Sequence, residues 1–238
     1  MISTKLLAGR HLIVEEKLDG ANSAISFSED GRLLLQSRGH FLDGGPREKH
    51  FGLMKAWATS IQRALWERLR SQYVIYGEWM YAKHTMFYDQ LPHYFFEFDV
   101  LDREHGDFLS TAVRKRLLSG LPLISAPVLF SGSIKNARQL RSFITRSSFQ
   151  SVRWRDTLTE LCGARRLEPT RTLSETDSSG LMEGLYIKVE DIDTVVERFK
   201  FVRSSFLQAV DESGDHWLNR PIIPNQLKEG VDIFATTG

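Results

Sequence analysis

Apolar and polar positions along the chain change period several times, and each change marks an element. From His11 to Lys17 an apolar run passes into Glu-Glu-Lys, which predicts a strand ending at a charged edge. Ala21 to Ser28 then alternates, with Ile25 and Phe27 on one face and Ser26 and Ser28 on the other. Glu29-Asp30-Gly31 is a turn, and Arg32 to Arg38 returns as the hairpin partner. A glycine-rich loop follows from Gly39 to Pro46. Phe51, Met54, Trp57, Ile61, Leu65 and Leu69 then recur at three- and four-residue steps, which predicts one amphipathic helix.

Tyr73 to Met80 and Tyr94 to Leu101 are aromatic and β-branched, so both are predicted strands. Helices are predicted over Thr111–Leu118, Asn136–Thr145 and Val152–Leu161, and a mobile polar loop over Arg165–Gly180. Strands return at Gly184–Glu190 and Val195–Val202. The prolines and apolar residues of Asp211–Val231 predict an extended tail packed on the body. Strands joined mostly by hairpins indicate an α+β fold of antiparallel sheets flanked by helices. One domain over residues 1–210 and a tail over 211–238 is the expected division.

Composition narrows the class. With 42% hydrophobic and 26% charged residues in 238, the chain has material for a large core. The formal net charge is +1, from 31 basic and 30 acidic residues, so a polyanion site must come from local clustering. Cys162 is the single cysteine, which excludes an internal disulfide and a multi-cysteine zinc site and fits a reducing cytosol. There is no signal-peptide run and no segment long enough to span a membrane. A cytoplasmic, soluble, monomeric protein is the expectation. His84, His93, His105 and His216 show no ligand spacing.

Candidate chemistry sits at the strand ends. Lys17 closes the first strand and precedes Asp19-Gly20, a turn pair, so its amine can point into a cleft. A lysine attacks only as the free amine and therefore needs a depressed pKa. Neighbouring cations or desolvation supply this, since both disfavour the ammonium. Far downstream stands Glu183-Gly184-Leu185-Tyr186-Ile187-Lys188.

In this order, Lys17-Leu18-Asp19-Gly20, Ser37-Arg38-Gly39, Tyr76-Gly77-Glu78-Trp79, Phe95-Phe96-Glu97-Phe98-Asp99 and the Glu183–Lys188 segment resemble the motifs of the covalent nucleotidyltransferases. That superfamily contains ATP-dependent ligases and mRNA capping enzymes, and within it the chain most resembles the RNA ligases, over about Leu12 to Arg203. The resemblance implies an ATP-grasp-like nucleotidyltransferase domain and assigns roles. Lys17 would carry AMP. Arg38 would contact the nucleotide and a nucleic-acid phosphate, Glu78 the ribose, and Phe98 would stack on adenine. Glu183 would serve a metal, Mg²⁺ or Mn²⁺, and Lys188 would lie near the nucleotide. The last motif, usually Lys-x-Lys, is matched by Arg198-Phe199-Lys200. Lys200 would neutralise the ATP phosphates and lower the pKa of Lys17, with Arg198 or Arg203 as the second cation.

The implied reaction loads AMP onto Lys17, transfers it to a 5′-phosphate and seals the strand as a 3′-hydroxyl displaces AMP. DNA ligases and capping enzymes usually add an OB-fold domain after the last motif. Only 38 residues follow Lys200 here, which leaves no room for one and favours an RNA ligase. RNA ends or a nicked duplex are the implied partners, with a separate end-healing kinase or phosphatase as a further candidate. A minimal DNA ligase, a capping guanylyltransferase and a non-catalytic nucleotide- or RNA-binding module are the alternatives.

Overall fold

The structure is a computed structural model that describes Leu7, residues 9–212 and residues 221–235. His216 and part of the expected tail lie outside the described residues. In chain order the elements are β1 (Leu12–Lys17), β2 (Ala21–Phe27), β3 (Leu33–Ser37), β4 (His40–Phe41), a 3₁₀ turn (Pro46–Phe51), α1 (Gly52–Ser60), α2 (Gln62–Leu69), β5 (Tyr73–Trp79), β6 (Phe95–Asp102) and β7 (Asp107–Phe108). There follow α3 (Thr111–Leu117), β8 (Ile124–Ser125), β9 (Val128–Gly132), α4 (Ala137–Ser142), α5 (Trp154–Ala164), α6 (Pro169–Ser174), β10 (Gly184–Glu190), β11 (Val195–Val202) and α7 (Ser204–Glu212). The fold is α+β.

Two antiparallel sheets carry the site. One has the order β11-β10-β1-β9; the other runs β4-β3-β2-β5-β6-β7, with β8 pairing parallel to β6. The second sheet buries Ile25, Ile75, Trp79, Phe95 and Phe96 together with Met54, Trp57 and Leu65 of α1 and α2. Val14, Leu185 and Ile187 of the first sheet pack with Leu140 of α4. A third cluster joins Trp154, Leu158 and Cys162 of α5 to Phe87 and Ile223.

The described part of the C-terminal segment is fixed by Asn225, which is fully buried. Its backbone N–H donates to the Tyr81 carbonyl (2.8 Å) and its side-chain amide to the Met80 carbonyl (2.7 Å). Its side-chain oxygen accepts from the Tyr88 N–H at 2.9 Å. The boundary expected after residue 210 falls inside α7.

Three expectations change. The single helix from Phe51 to Leu69 is two helices that break at Ile61 (φ −109°, ψ 10°). The hydroxyls of Thr59 and Ser60 donate to the carbonyls of Lys55 and Trp57 there, and such back-bonding competes with the helical ladder. The mobile loop predicted over Arg165–Gly180 contains α6, which starts at Pro169 and is capped by the Glu168 carboxylate accepting from Thr170 and Arg171 N–H. The short strands β4, β7, β8 and β9 lack a periodic signal and were not expected.

Candidate active site

The chain passes from one sheet to the other between β1 and β2, through Leu18-Asp19-Gly20, and the candidate residues gather at that crossing. Asp19 fixes the turn: one carboxylate oxygen accepts from the N–H groups of Thr85 (2.8 Å) and Met86 (2.6 Å). Its own N–H donates to the Tyr88 hydroxyl at 3.1 Å. Gly20 is required by space, since a Cβ there would sit 2.6 Å from the Met80 sulfur and 3.0 Å from the Trp79 carbonyl. Lys17 is thereby presented from a rigid base.

Gly184 opposes Lys17 in the β1–β10 register, so Glu183 stands beside it. Lys17 Nζ lies 2.6 Å from Glu183 Oε1. Glu78 on β5, Phe98 on β6, Tyr186 on β10 and Lys200 on β11 join Lys17, Leu18, Glu16 and Ala126 around a cavity of about 360 Å³, open mouth included. Phe98 meets Tyr186 edge to face, with ring centroids 5.5 Å apart. Arg38 is exposed beyond the end of β3, and its charge is felt at Lys200.

Burial dominates the electrostatics. It pushes the Glu78 carboxyl up to about 8, with the attraction of Lys17 opposed by Glu183 and Asp19. Glu183 rises to about 7 for the same first reason, against the pull of Lys17. Glu16 also rises to about 7 through burial, moderated by the Ser147 hydroxyl. Burial alone would depress the Lys17 amine, but Glu183, Glu78 and Asp19 outweigh it and raise the value. Lys200 is lowered, first by burial and then by Lys17.

The depressed Lys17 expected from its sequence setting is thus not what the protein's own groups produce. They hold an ammonium against Glu183, and Lys200 is the depressed amine. The Oε2 atoms of Glu78 and Glu183 are buried without a hydrogen-bond partner among the described residues. Hard, unengaged carboxylate oxygens of this kind suit Mg²⁺ or Mn²⁺.

Other expected residues lie elsewhere. Lys188 does not line the cavity. Its amine is fully buried, 2.9 Å from Glu15 and 3.2 Å from Asp99, and donates to the Phe98 carbonyl. Arg198 pairs with Asp99 at 3.1 Å and lies 3.6 Å over the Phe108 ring. Arg203 is buried, holding Asp177 at 2.5 Å and the Met182 carbonyl at 2.7 Å. Arg198 and Arg203 are both committed to the protein, which leaves Lys200 as the last-motif cation at the cavity. Phe96 is fully buried against Phe149.

A buried charge network missed in the sequence lies beneath the cavity. Arg114 bridges Glu15 (2.8 Å) and Glu97 (3.2 Å), and Tyr186 donates to Asp99 at 2.6 Å. The one sequence signal for it is a pair of glutamates, Glu15 and Glu16, inside a predicted strand. Away from the cavity, Asp102, Glu104 and His105 bring ligand atoms within 4.8 Å of one another, although no metal spacing is visible around His105 in sequence.

An amine paired with Glu183, an aromatic ring, a second amine and the unengaged Glu78 oxygen around one cavity suit transfer of a nucleotidyl group. The profile of the family described as RNA ligase matches residues 10–202. No curated protein sequence matches significantly. Similar solved structures include a mutant of Naegleria gruberi RNA ligase with ATP and Mn, at 16% identity and TM-score 0.56, covering 87% of this chain and 53% of that one. The Naegleria gruberi RNA ligase with PPi matches at 16% identity and TM-score 0.55, over 87% and 53%. A further mutant with AMP and Mn matches at 15% identity and TM-score 0.55, over 87% and 54%. The chain spans about half the length of those ligases. At such identity the likeness concerns the fold.

Proposed function

The chain belongs to the RNA ligase family, and on that premise we propose that it seals RNA 3′-hydroxyl and 5′-phosphate ends with ATP, through an adenylate on Lys17. The observation that carries this reading is the convergence of Lys17, Glu78 and Lys200 on one cavity beside Phe98, with Glu183 held against the Lys17 amine. In the first step the Lys17 nitrogen forms a bond to the α-phosphorus of ATP, and the bond to the bridging oxygen of pyrophosphate breaks. The ammonium, held against Glu183, must lose its proton before the nitrogen can attack.

Lys200 offers its charge to the phosphates. Because phosphoryl transfer is chiefly positioning and charge neutralisation, its loss should be nearly as damaging as loss of the nucleophile. Phe98 supplies a flat face for adenine. Glu183, with Glu78, would hold a divalent ion, which when bound supplies neutralisation of the phosphate oxygens. Engaging Glu183 in that way weakens its hold on the Lys17 ammonium and favours the free amine.

AMP then passes to the 5′-phosphate of the RNA, releasing the Lys17 nitrogen, and the 3′-hydroxyl oxygen displaces AMP to form the phosphodiester. Arg38 at the rim is a contact for the phosphate being activated. The deciding experiment is single-turnover sealing of four nicks with RNA or DNA on either side. Sealing should be faster when the 3′-hydroxyl strand ends in ribonucleotides, whose 2′-hydroxyls and A-form geometry are readable at short range. Equal or faster sealing of the all-DNA nick would replace this reading with a DNA ligase.

A further inference from the structure

The near-neutral chain hides an uneven distribution of charge. Residues 136–176, from the cap of α4 to two residues past α6, contain eight arginines, no lysine and four acids, a net of +4. The remainder holds 23 basic and 26 acidic residues, a net of −3. All eight arginines are exposed. Only Arg153 (3.6 Å from Asp156) and Arg171 (3.0 Å from Glu175) make ion pairs among the described residues. The other six guanidinium charges are not neutralised by a neighbouring described carboxylate.

Two of them stand close to the cavity's supporting loops. Arg155 donates to the Ser178 carbonyl at 2.7 Å, and Arg146 borders Gly180. That turn is tied inward, because the Asp177 N–H donates to the Thr85 carbonyl at 2.8 Å and the Thr85 N–H donates to Asp19. It also leads into Met182, whose N–H donates to the Thr145 carbonyl at 2.9 Å, and so to Glu183. Arg146 and Arg155 are therefore linked to the Lys17–Asp19 turn through two segments in succession, residues 177–180 and Thr85. On α4, Arg138 and Arg141 are three residues apart and share a face.

We propose that this arginine-rich helical segment is the surface on which the phosphate backbone of the RNA strand lies as its end enters the cavity. The proposal rests on the RNA ligase reading for the identity of the polyanion. Arginine suits a phosphate track because its planar fork meets phosphate oxygens in pairs and stays charged at every working pH. Surface charges unpaired within the protein are available to displace the counterions of a nucleic acid, and that release makes binding steeply salt-dependent. The surface positions the strand and does not choose its sequence, since phosphate contacts carry no base information.

The test measures binding of a fluorescent nicked RNA duplex with a 5′-phosphate, without ATP, over a range of salt. It compares the full chain with Arg146→Glu/Arg155→Glu and with Arg146→Lys/Arg155→Lys. The glutamate variant should bind about tenfold more weakly, and its log–log salt slope should flatten by about 0.7–0.9 for each phosphate it no longer neutralises. The lysine variant should keep the slope, and all should label themselves with ATP at the same rate. Unchanged affinity and slope in a self-labelling glutamate variant would overturn the proposal and point this surface to a different partner. If that variant fails to fold, Arg138→Glu/Arg141→Glu on α4 decides by the same criteria. Wild-type protein that binds RNA through these arginines but never labels itself with ATP would sink the ligase reading and leave this surface standing.

Discussion

Lys17 shows what a residue's surroundings add to its identity. Its place at a strand end before Asp-Gly was legible from the pattern, whereas the partners Glu183, Glu78 and Lys200 were legible only through the resemblance of their segments to the motifs of the RNA ligases. The state of its amine was not, since that depends on Glu183 and Glu78, brought from distant parts of the chain to join the neighbouring Asp19. Phe98→Ala should weaken ATP binding by about 1–3 kcal/mol, the worth of one base stack, while Phe98→Tyr and Phe98→Trp retain most of it. Isothermal titration with a non-hydrolysable ATP analogue measures this. Unchanged binding would move the stack to Tyr186, the other aromatic ring at the cavity. The raised carboxyls make a second prediction at this scale. A group with a folded value near 8 and an unfolded value near 4 binds more protons when folded, so stability falls as pH rises through that window. Glu78→Gln should melt higher than wild type at pH 8, by about 2–4 °C for each kcal/mol recovered, with the gap closing towards pH 4. A gap that widened on acidification would contradict the burial of that carboxyl.

Among the elements, the strands that carry the site were legible from alternation and aromatic runs, and the exceptions have physical causes. The helix break at Ile61 turns on hydroxyls that bond backward to the preceding turn. The two-residue strands are too short to show a period. The inward placement of Lys188 was not legible, because a buried lysine and a cavity lysine look alike on a strand until the neighbouring strand supplies Glu15 and the facing sheet Asp99. Gly184 makes the tightest demand of any strand residue at the site. A Cβ there would lie 1.9 Å from the Phe201 carbonyl, so β10 and β11 can pair through this position only with glycine. Gly184→Ala should therefore cost about 1–3 kcal/mol or more in urea unfolding and should displace Glu183 from Lys17. The same substitution at Gly52, where nothing lies within 4 Å, is the control. Equal stability of the two variants would contradict the close approach.

For the whole molecule, the two sheets are joined at the site by charge as well as by apolar packing. Arg114 is fully buried between Glu15 of the first sheet and Glu97 of the second. Arg114→Ala would leave Glu97 buried without its ion pair and Glu15 held by Lys188 alone, and should cost about 3–5 kcal/mol, read by urea unfolding; a loss under about 1 kcal/mol would show that the network is not needed to hold the sheets. That cross-sheet arrangement was invisible in sequence, where α3 and β1 are separated by most of the second sheet. Every step of the proposed chemistry depends on the nitrogen of Lys17 becoming bonded to adenylate. The most direct test is peptide mass spectrometry of the full chain after incubation with ATP and Mg²⁺ or Mn²⁺, followed by addition of 5′-phosphorylated nicked RNA. The predicted result is one adenylate on the peptide containing Lys17, absent from a folded Lys17→Ala variant and discharged when RNA is added. Adenylate on a different residue, or full labelling of the Lys17→Ala protein, would contradict it.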